Sequence, residues 1–327
     1  MNETSPETQV LGFLWRRRRR MPMPLEALVT NARAMLSDRD GDFVEVLESL
    51  RDEGVVLETG EGWSLPRSAH DRARAAMREA VSVGYSRGAA RLVGSDAHRR
   101  YVRAVYGWDV PSLNMMGPTQ RQMLKARCAL RPAHRFLDLG CNTGGITSWL
   151  AVESGAVGVG VDLAASAIEM ARGLPGRLSF DVQDMDELEL PAEAFDVVVA
   201  VDTLYFPDNL AATLLAVFAS LKPGGRLVAS YSCYRNDRGS DDELTLSGSG
   251  FGRALPDGVQ AEWEEVTELG REAWGRKLAA LAELKAAFAA EGLHDLWLSR
   301  QRESETLAGV YDRGWARRYL VTAVKPG

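Results

Sequence analysis

Phe136-Leu137-Asp138-Leu139-Gly140-Cys141-Asn142-Thr143-Gly144-Gly145 is the stretch that decides the fold. An apolar strand runs into an acidic residue and a glycine-rich turn, and a helical pattern begins at Gly145. Small residues let the backbone approach a ligand, and the first turn of the helix aims unpaired N–H groups at the same place. A nucleotide-like ligand is the natural occupant. Asp138 narrows the choice, because a carboxylate at this turn repels a dinucleotide pyrophosphate and attracts the ammonium of a methionine-type ligand.

Outward from this turn, strands and helices alternate. Arg135 to Leu139, Ala156 to Val161, Arg177 to Val182, Phe195 to Val201 and Arg226 to Tyr231 read as strands, with helices at Gly145 to Ser154, Ala164 to Arg172 and Leu210 to Leu221. Their continuous apolar runs suit strands buried on both faces of a parallel sheet. Arg271 to Glu291 reads as a long amphipathic helix. Leu296 to Leu298 and Tyr319 to Val324 are expected to close the sheet as an antiparallel pair. The fold class expected is α/β, a Rossmann-like doubly wound sheet of seven strands.

The ends of these strands carry an ordered set of acids. Gly158-Val159-Gly160-Val161-Asp162 places a carboxylate, followed by Leu163, where both hydroxyls of a ribose can be accepted. Asp181-Val182-Gln183-Asp184-Met185 adds an acid for an adenine amino group and a side chain for the ring face. Phe195 to Phe206 ends in Val201-Asp202-Thr203-Leu204-Tyr205-Phe206 outside the same strand ends. The cofactor expected is S-adenosyl-L-methionine. A nicotinamide enzyme also pairs a glycine turn with a later acid, but it calls for G-x-G-x-x-G, and the middle glycine is here Asn142.

With FLDLGCNTGG, GVGVD, DVQDM, FDVVVAVDTLYF and LKPGGRLV in this order, the chain from His134 to Lys325 resembles the class I S-adenosylmethionine-dependent methyltransferases. The resemblance implies that Asp138 and Gly140 line the methionine part, that Asp162 binds ribose, and that Asp184 with Met185 frames adenine. Asn142, Gly144, Leu163 and Val201 complete the expected cofactor contacts. Asn142 departs from the family's glycine, and asparagine tolerates unusual backbone angles, so the turn is expected to survive.

Ahead of this domain, Leu25, Leu28, Ala32 and Leu36 recur at helical spacing, as do Phe43, Val46, Leu47 and Leu50. Val55 to Glu58 and Gly60 to Leu65 read as a hairpin, so residues 1–92 form a mainly helical, winged-helix-like domain. Such a module can bind DNA, but its second helix carries Asp42, Glu45, Glu48, Asp52 and Glu53 against Arg51 alone. Phosphates would be repelled, so packing or homodimer formation is the preferred role. The run Arg16 to Arg20 reads as a solvated segment. Residues 93–132 are expected to be connecting helices that form a lid or wall, and 133–327 the ligand-binding domain.

The 327 residues are 46% hydrophobic and 26% charged, with a formal charge of −6. That length suits two domains, and the acidic balance opposes broad binding to nucleic acid. No run approaches the ~20 apolar residues of a membrane span, so no membrane association and a cytoplasmic location are expected. Cys128, Cys141 and Cys233 are too scattered for a disulfide framework or zinc site, and no metal is expected.

Methyl transfer from a sulfonium is an in-line displacement that needs a positioned, unprotonated nucleophile and the exclusion of water. Candidate catalytic residues are Asp202, Tyr205, Tyr231 and Tyr234, with His98 as the histidine base. The insert 236–269 holds Asp237, Asp241, Asp242, Glu243, Glu262, Glu264, Glu265 and Glu268, which read as a solvated loop, with pairing to a polycationic small-molecule substrate as the alternative. The helical front segment resembles enzymes that tailor natural products, and an amino group of an aminoglycoside is the preferred acceptor. The alternative is O- or C-methylation of an aromatic, polyketide or terpenoid metabolite, favoured by an aromatic pocket for which Trp108, Trp263 and Trp274 are available.

Overall fold

A computed structural model describes residues 4–17, 21–35, 40–92, 94–108, 116–235 and 239–327. Residues 18–20 of the arginine run, 36–39 between the first two predicted helices, 109–115 of the loop before Pro118 and 236–238 at the head of the insert lie outside it. Contacts divide the chain into two units, Met1–Ala90 and Arg91–Gly327.

In the first unit, helices α1 (Pro6–Arg17), α2 (Leu25–Met35) and α3 (Asp40–Asp52) are followed by a hairpin of β1 (Leu57–Thr59) and β2 (Gly62–Ser64) and by α4 (His70–Leu92). Leu11 and Leu14 of α1, Leu28 of α2, Leu47 and Leu50 of α3 and Ala73 of α4 are buried in one core. Trp63 links the hairpin to that core, and it exchanges backbone hydrogen bonds with Met23 at 2.9 and 2.8 Å. Glu45, Glu48, Asp52 and Glu53 lie on the exposed side of α3. Arg51 is engaged by Asp52 and Glu58, and Glu53 pairs with Arg72.

The second unit is built on a seven-stranded sheet. It opens with α5 (Asp96–Tyr106) and α6 (Pro118–Cys128), then alternates β3 (Arg135–Leu139), α7 (Gly145–Ser154), β4 (Val157–Asp162), α8 (Ala165–Arg172), β5 (Leu178–Val182), β6 (Phe195–Val201), α9 (Leu210–Ser220) and β7 (Leu221–Tyr234). After α10 (Gly250–Ala254) come β8 (Gln260–Glu265), α11 (Thr267–Ala290), α12 (His294–Asp312) and β9 (Ala316–Val324). The strand order is β5-β4-β3-β6-β7-β9-β8. Strands β3 to β7 are parallel, and β9 runs antiparallel to both β7 and β8. The order turns back between β3 and β6, which opens a crevice outside the carboxyl ends of those strands.

Two expectations fail at the far edge. Leu296 to Leu298 is not a strand but part of α12, where Trp297 is buried and its indole N–H donates to the Leu281 carbonyl of α11 at 2.7 Å. The partner of β9 is instead β8, from within the acidic insert. Glutamates are tolerated there because β8 is an edge strand whose side chains are largely exposed, an arrangement that also discourages edge-to-edge association. Helices α5, α11 and α12 pack together through Tyr101, Val105, Leu281, Leu284, Phe288 and Trp297.

Candidate functional site

The glycine turn is built from residues that can take a positive φ. Gly140 has φ +76°, Asn142 +50° and Gly144 +77°. A Cβ on Gly140 would lie 2.4 Å from Thr203 Cγ2 and 2.8 Å from Met185 Cε, so only glycine fits between those side chains. The turn is fastened to the next strand: the Gly140 and Cys141 N–H groups both donate to the Val161 carbonyl, at 2.8 and 3.0 Å. Gly144 caps α7 from the left-handed region, and Asn142 closes its own turn by accepting from the Thr143 N–H at 2.9 Å.

Asp138 is 2% exposed, and its Oδ2 accepts from the Thr147 hydroxyl at 2.6 Å. Burial raises this carboxyl to about 7, the Thr147 hydrogen bond opposing and the Asp162 charge adding. Asp162 ends β4. Its Oδ2 accepts from the Asn142 N–H at 2.8 Å and its Oδ1 from the Ala164 N–H at 2.9 Å, so one carboxylate fixes both turns. Burial raises it too, while these backbone hydrogen bonds pull it back. Leu163 follows, partly buried.

The third and fourth strand ends meet the same place. Asp184 Oδ1 accepts from the Asp186 N–H at 2.9 Å and caps a short 3-10 turn, and Met185 reaches Gly140 and Thr203. Asp186 in turn accepts from the Asp208 and Asn209 N–H groups at 3.0 and 2.9 Å, which ties the loop after β5 to the loop after β6. Thr203 donates to the Leu139 carbonyl at 2.9 Å, just past Val201, which is buried at the end of β6. Side chains from four strand ends therefore converge on the glycine turn.

Beside this group lies a buried ion pair whose cationic partner the sequence analysis did not single out. Asp202, at φ +57°, takes Arg318 of β9 on both oxygens, at 2.5 and 3.0 Å. Its Oδ1 also accepts from the Tyr205 hydroxyl at 2.8 Å and from Ser230 at 3.3 Å. Arg318 is fully buried, and its remaining N–H groups go to Gln120, Ser232 and Ser230 at 3.0, 3.0 and 3.2 Å. Burial alone would lower the guanidinium, but the Asp202 charge and hydrogen bonds hold it above its ordinary value. Asp202 is thus committed to holding β9 against β6, which removes it as a free base.

The other catalytic candidates separate. Tyr205, Tyr231 and Phe251 form a row of rings with centroids 5.3 Å apart at each step. Burial of its hydroxyl, reinforced by Asp202, holds Tyr205 protonated, and burial pushes Tyr231 up to about 12. His98 is buried on α5, where the Arg300 guanidinium lies 3.2 Å from its Nδ1 and donates to it. Burial and the Arg300 charge lower this imidazole to about 3, so it is a poor proton acceptor at neutral pH.

The acids of the insert are solvated or engaged in surface ion pairs. Asp241, Glu264, Glu265 and Glu268 pair with Arg235, Arg127, Arg317 and Arg271, while Asp242, Glu243 and Glu262 are exposed. Asp237 is outside the described residues. Of the three tryptophans, Trp263 is half exposed on β8, Trp108 stacks with Arg121 at 4.3 Å, and Trp274 is buried on α11. No group of residues able to hold a metal ion occurs among the described residues, and no described helix is long and apolar enough to cross a membrane.

Residues 137–229 match the family described as Methyltransferase domain. The chain is 30% identical over 230 residues to a ubiquinone biosynthesis O-methyltransferase of Xanthomonas campestris pv. campestris, covering 67% of this chain and 89% of that protein. It is 30% identical over 157 residues to methyltransferase GfsG of Streptomyces halstedii, covering 45% of this chain and 56% of that one. Among solved structures, phosphoethanolamine N-methyltransferase 2 of Haemonchus contortus, in complex with phosphomonomethylethanolamine and S-adenosylhomocysteine, superposes with a TM-score of 0.58. That match is 18% identical and covers 71% of this chain and 58% of that one, so it speaks to the fold. The chain spans little more than half the length of the Streptomyces and Haemonchus proteins.

Proposed function

Because the chain belongs to the class I S-adenosylmethionine-dependent methyltransferases, we propose that it methylates an oxygen or carbon nucleophile of a small organic acceptor. S-adenosylmethionine supplies an electrophilic methyl group on a sulfonium, open to in-line attack. The residues at the strand ends suit it. Asp138 beside the glycine turn offers a carboxylate to the methionine ammonium, and Asp162 keeps lone pairs for ribose hydroxyls beyond its two backbone donors. Asp184 and Met185 are the residues that would frame the adenine; Asn142 and Leu163 are partly buried at the same strand ends, whereas Gly144 and Val201 are buried and shape the turn and the end of β6.

The observation that carries the choice of acceptor is the commitment of the carboxylates. An amino sugar brings several ammonium groups and needs unpaired acids, yet Asp202 is matched by Arg318 and the insert's acids are paired with arginines or face solvent. Tyr205 and Phe206, partly exposed just after β6 with ring centroids 5.9 Å apart, offer aromatic surface instead, backed by the buried Tyr231. That favours O- or C-methylation over the aminoglycoside reading. The candidate side chains offer no strong base, so the nucleophile is itself acidic, a phenol or an enol that loses its proton readily. The chain's contribution is then to orient that group and exclude water.

The test is incubation with methyl-labelled S-adenosylmethionine and two acceptor panels, aminoglycosides and phenolic or enolic aromatics and polyketides, read by mass spectrometry. Label is expected in the second panel, on oxygen or carbon. Label on an aminoglycoside amine would overturn the proposal.

A further inference from the structure

Of three buried donor side chains near the Asp202–Arg318 pair, two have no acceptor. Gln120 of α6 is 3% exposed; its Oε1 accepts from Arg318, and its amide nitrogen has no hydrogen-bond partner among the described residues. Trp274 of α11 is 2% exposed, and its indole N–H likewise has none. Lys277, one turn further along, is 7% exposed, and the contact its ammonium makes is with the Trp274 ring, 3.9 Å from the centroid. Buried donors of this kind cost free energy unless something accepts from them.

These groups share one neighbourhood. Gly270, Trp274 and Lys277 follow one face of α11, and a Cβ on Gly270 would lie 3.1 Å from the Arg318 side chain. Lys277 feels the negative charges of Glu303 and Asp202 and the positive charges of Arg300 and Arg318. One of those carboxylates, Glu303, is exposed, whereas the side chains of Lys277 and Arg318 are buried. The Gln120 amide and the Trp274 indole therefore present unmatched donors, and the Tyr311 hydroxyl, which can donate or accept, is unmatched beside Gly270.

We infer that Lys277, Gln120 and Trp274 form a subsite for an ionised acid group of the methyl acceptor, a carboxylate. A carboxylate has two acceptor oxygens and one negative charge, which answers both the vacant donors and the buried ammonium of Lys277. Burial lowers the Lys277 ammonium to about 8, so it is still mostly protonated at neutral pH, and a carboxylate beside it would restore it. This inference rests on the methyl-transfer reading, since the subsite adjoins Asp202 at the end of β6. It adds to that reading that the acceptor is an acid, which further separates it from amino sugars.

The full chain saturated with S-adenosylhomocysteine is titrated with benzoate, benzamide and phenyl phosphate at matched ionic strength, pH 7, by ligand-observed NMR and calorimetry. Benzoate is expected to bind on the order of tenfold tighter than benzamide, as for a charge-assisted hydrogen bond in a buried site. Lys277→Met should abolish that preference and Lys277→Arg should keep part of it, while both bind S-adenosylhomocysteine as the wild type does. Gln120→Leu should lower benzoate affinity several-fold. Equal binding of benzoate and benzamide, no benzoate binding, or a preference that survives Lys277→Met overturns the subsite, and tighter phenyl phosphate overturns the assignment to a carboxylate. A chain that does not bind S-adenosylhomocysteine at all would instead sink the methyltransferase reading.

Discussion

Asp138 shows how a single residue can be held ready for a ligand at the expense of the apo protein. Its carboxyl is raised from 3.8 to about 7, first by burial. A raised acid prefers the protonated form in the folded state, so its contribution to stability is complete below about pH 4 and is lost as pH rises through about 7. Asparagine cannot ionise. Asp138→Asn without cofactor is therefore expected to gain on the wild type between pH 5 and 8, by roughly 2 to 4 kcal/mol in urea denaturation. Parallel stability curves across that range would show that the carboxyl is not perturbed. The ammonium of the cofactor reverses the preference, so wild-type binding near pH 7 should release a proton that Asp138→Asn does not. The sequence exposes Asp138 and Asp162 because each closes an apolar run next to glycines or at a strand end. Lys277, Gln120 and Arg318 carry no such flag: they come from α11, α6 and β9, and meet only in three dimensions. The available signals were a lysine in line with Ala273, Trp274, Ala280, Leu281 and Leu284, and an arginine leading the apolar run Tyr319 to Val324.

At the scale of elements, β9 is both the last strand to join the sheet and the carrier of its most deeply buried charge. Arg318 spans to β6 through Asp202, to β7 through Ser230 and Ser232, and to α6 through Gln120. Removing one partner leaves the other charged and unpaired in a dry setting. Arg318→Met is expected to cost about 3 to 5 kcal/mol in urea denaturation, and adding Asp202→Asn, which removes the unpaired charge and tolerates the positive φ, should recover part of it. A loss under about 1 kcal/mol would mean that water reaches the pair. The strands β3 to β7 were legible as apolar runs, and β3 and β6 fall on their predicted ends. Gln260 to Glu265 was not, because four polar residues around Trp263 read as an acidic loop until an edge position makes them reasonable. Leu296 to Leu298 failed for the opposite reason. Three apolar residues fit a strand or a helix equally, and only the burial of Trp297 against α11 decides between them.

Across the whole molecule, charge placement separates the candidate roles better than composition does. A formal charge of −6 describes many proteins, but its distribution is specific. In the second unit the acids of β8 face arginines or solvent, and the cations Lys277 and Arg318 are buried inside. In the first unit the helix-and-hairpin arrangement invites comparison with DNA-binding modules, yet the exposed side of α3 presents Glu45, Glu48, Asp52 and Glu53. Laid in a groove, that face would meet phosphates with carboxylates and gain nothing from counterion release. Duplex DNA is therefore expected not to bind the full chain measurably by fluorescence anisotropy at 0.15 M salt. At lower salt, any residual binding should be independent of sequence and carried by the run Arg16 to Arg20, so that replacing those arginines with serine removes it. Binding at 0.15 M salt that discriminates between DNA sequences, and that survives the loss of the arginines, would mean that α3 reads bases after all.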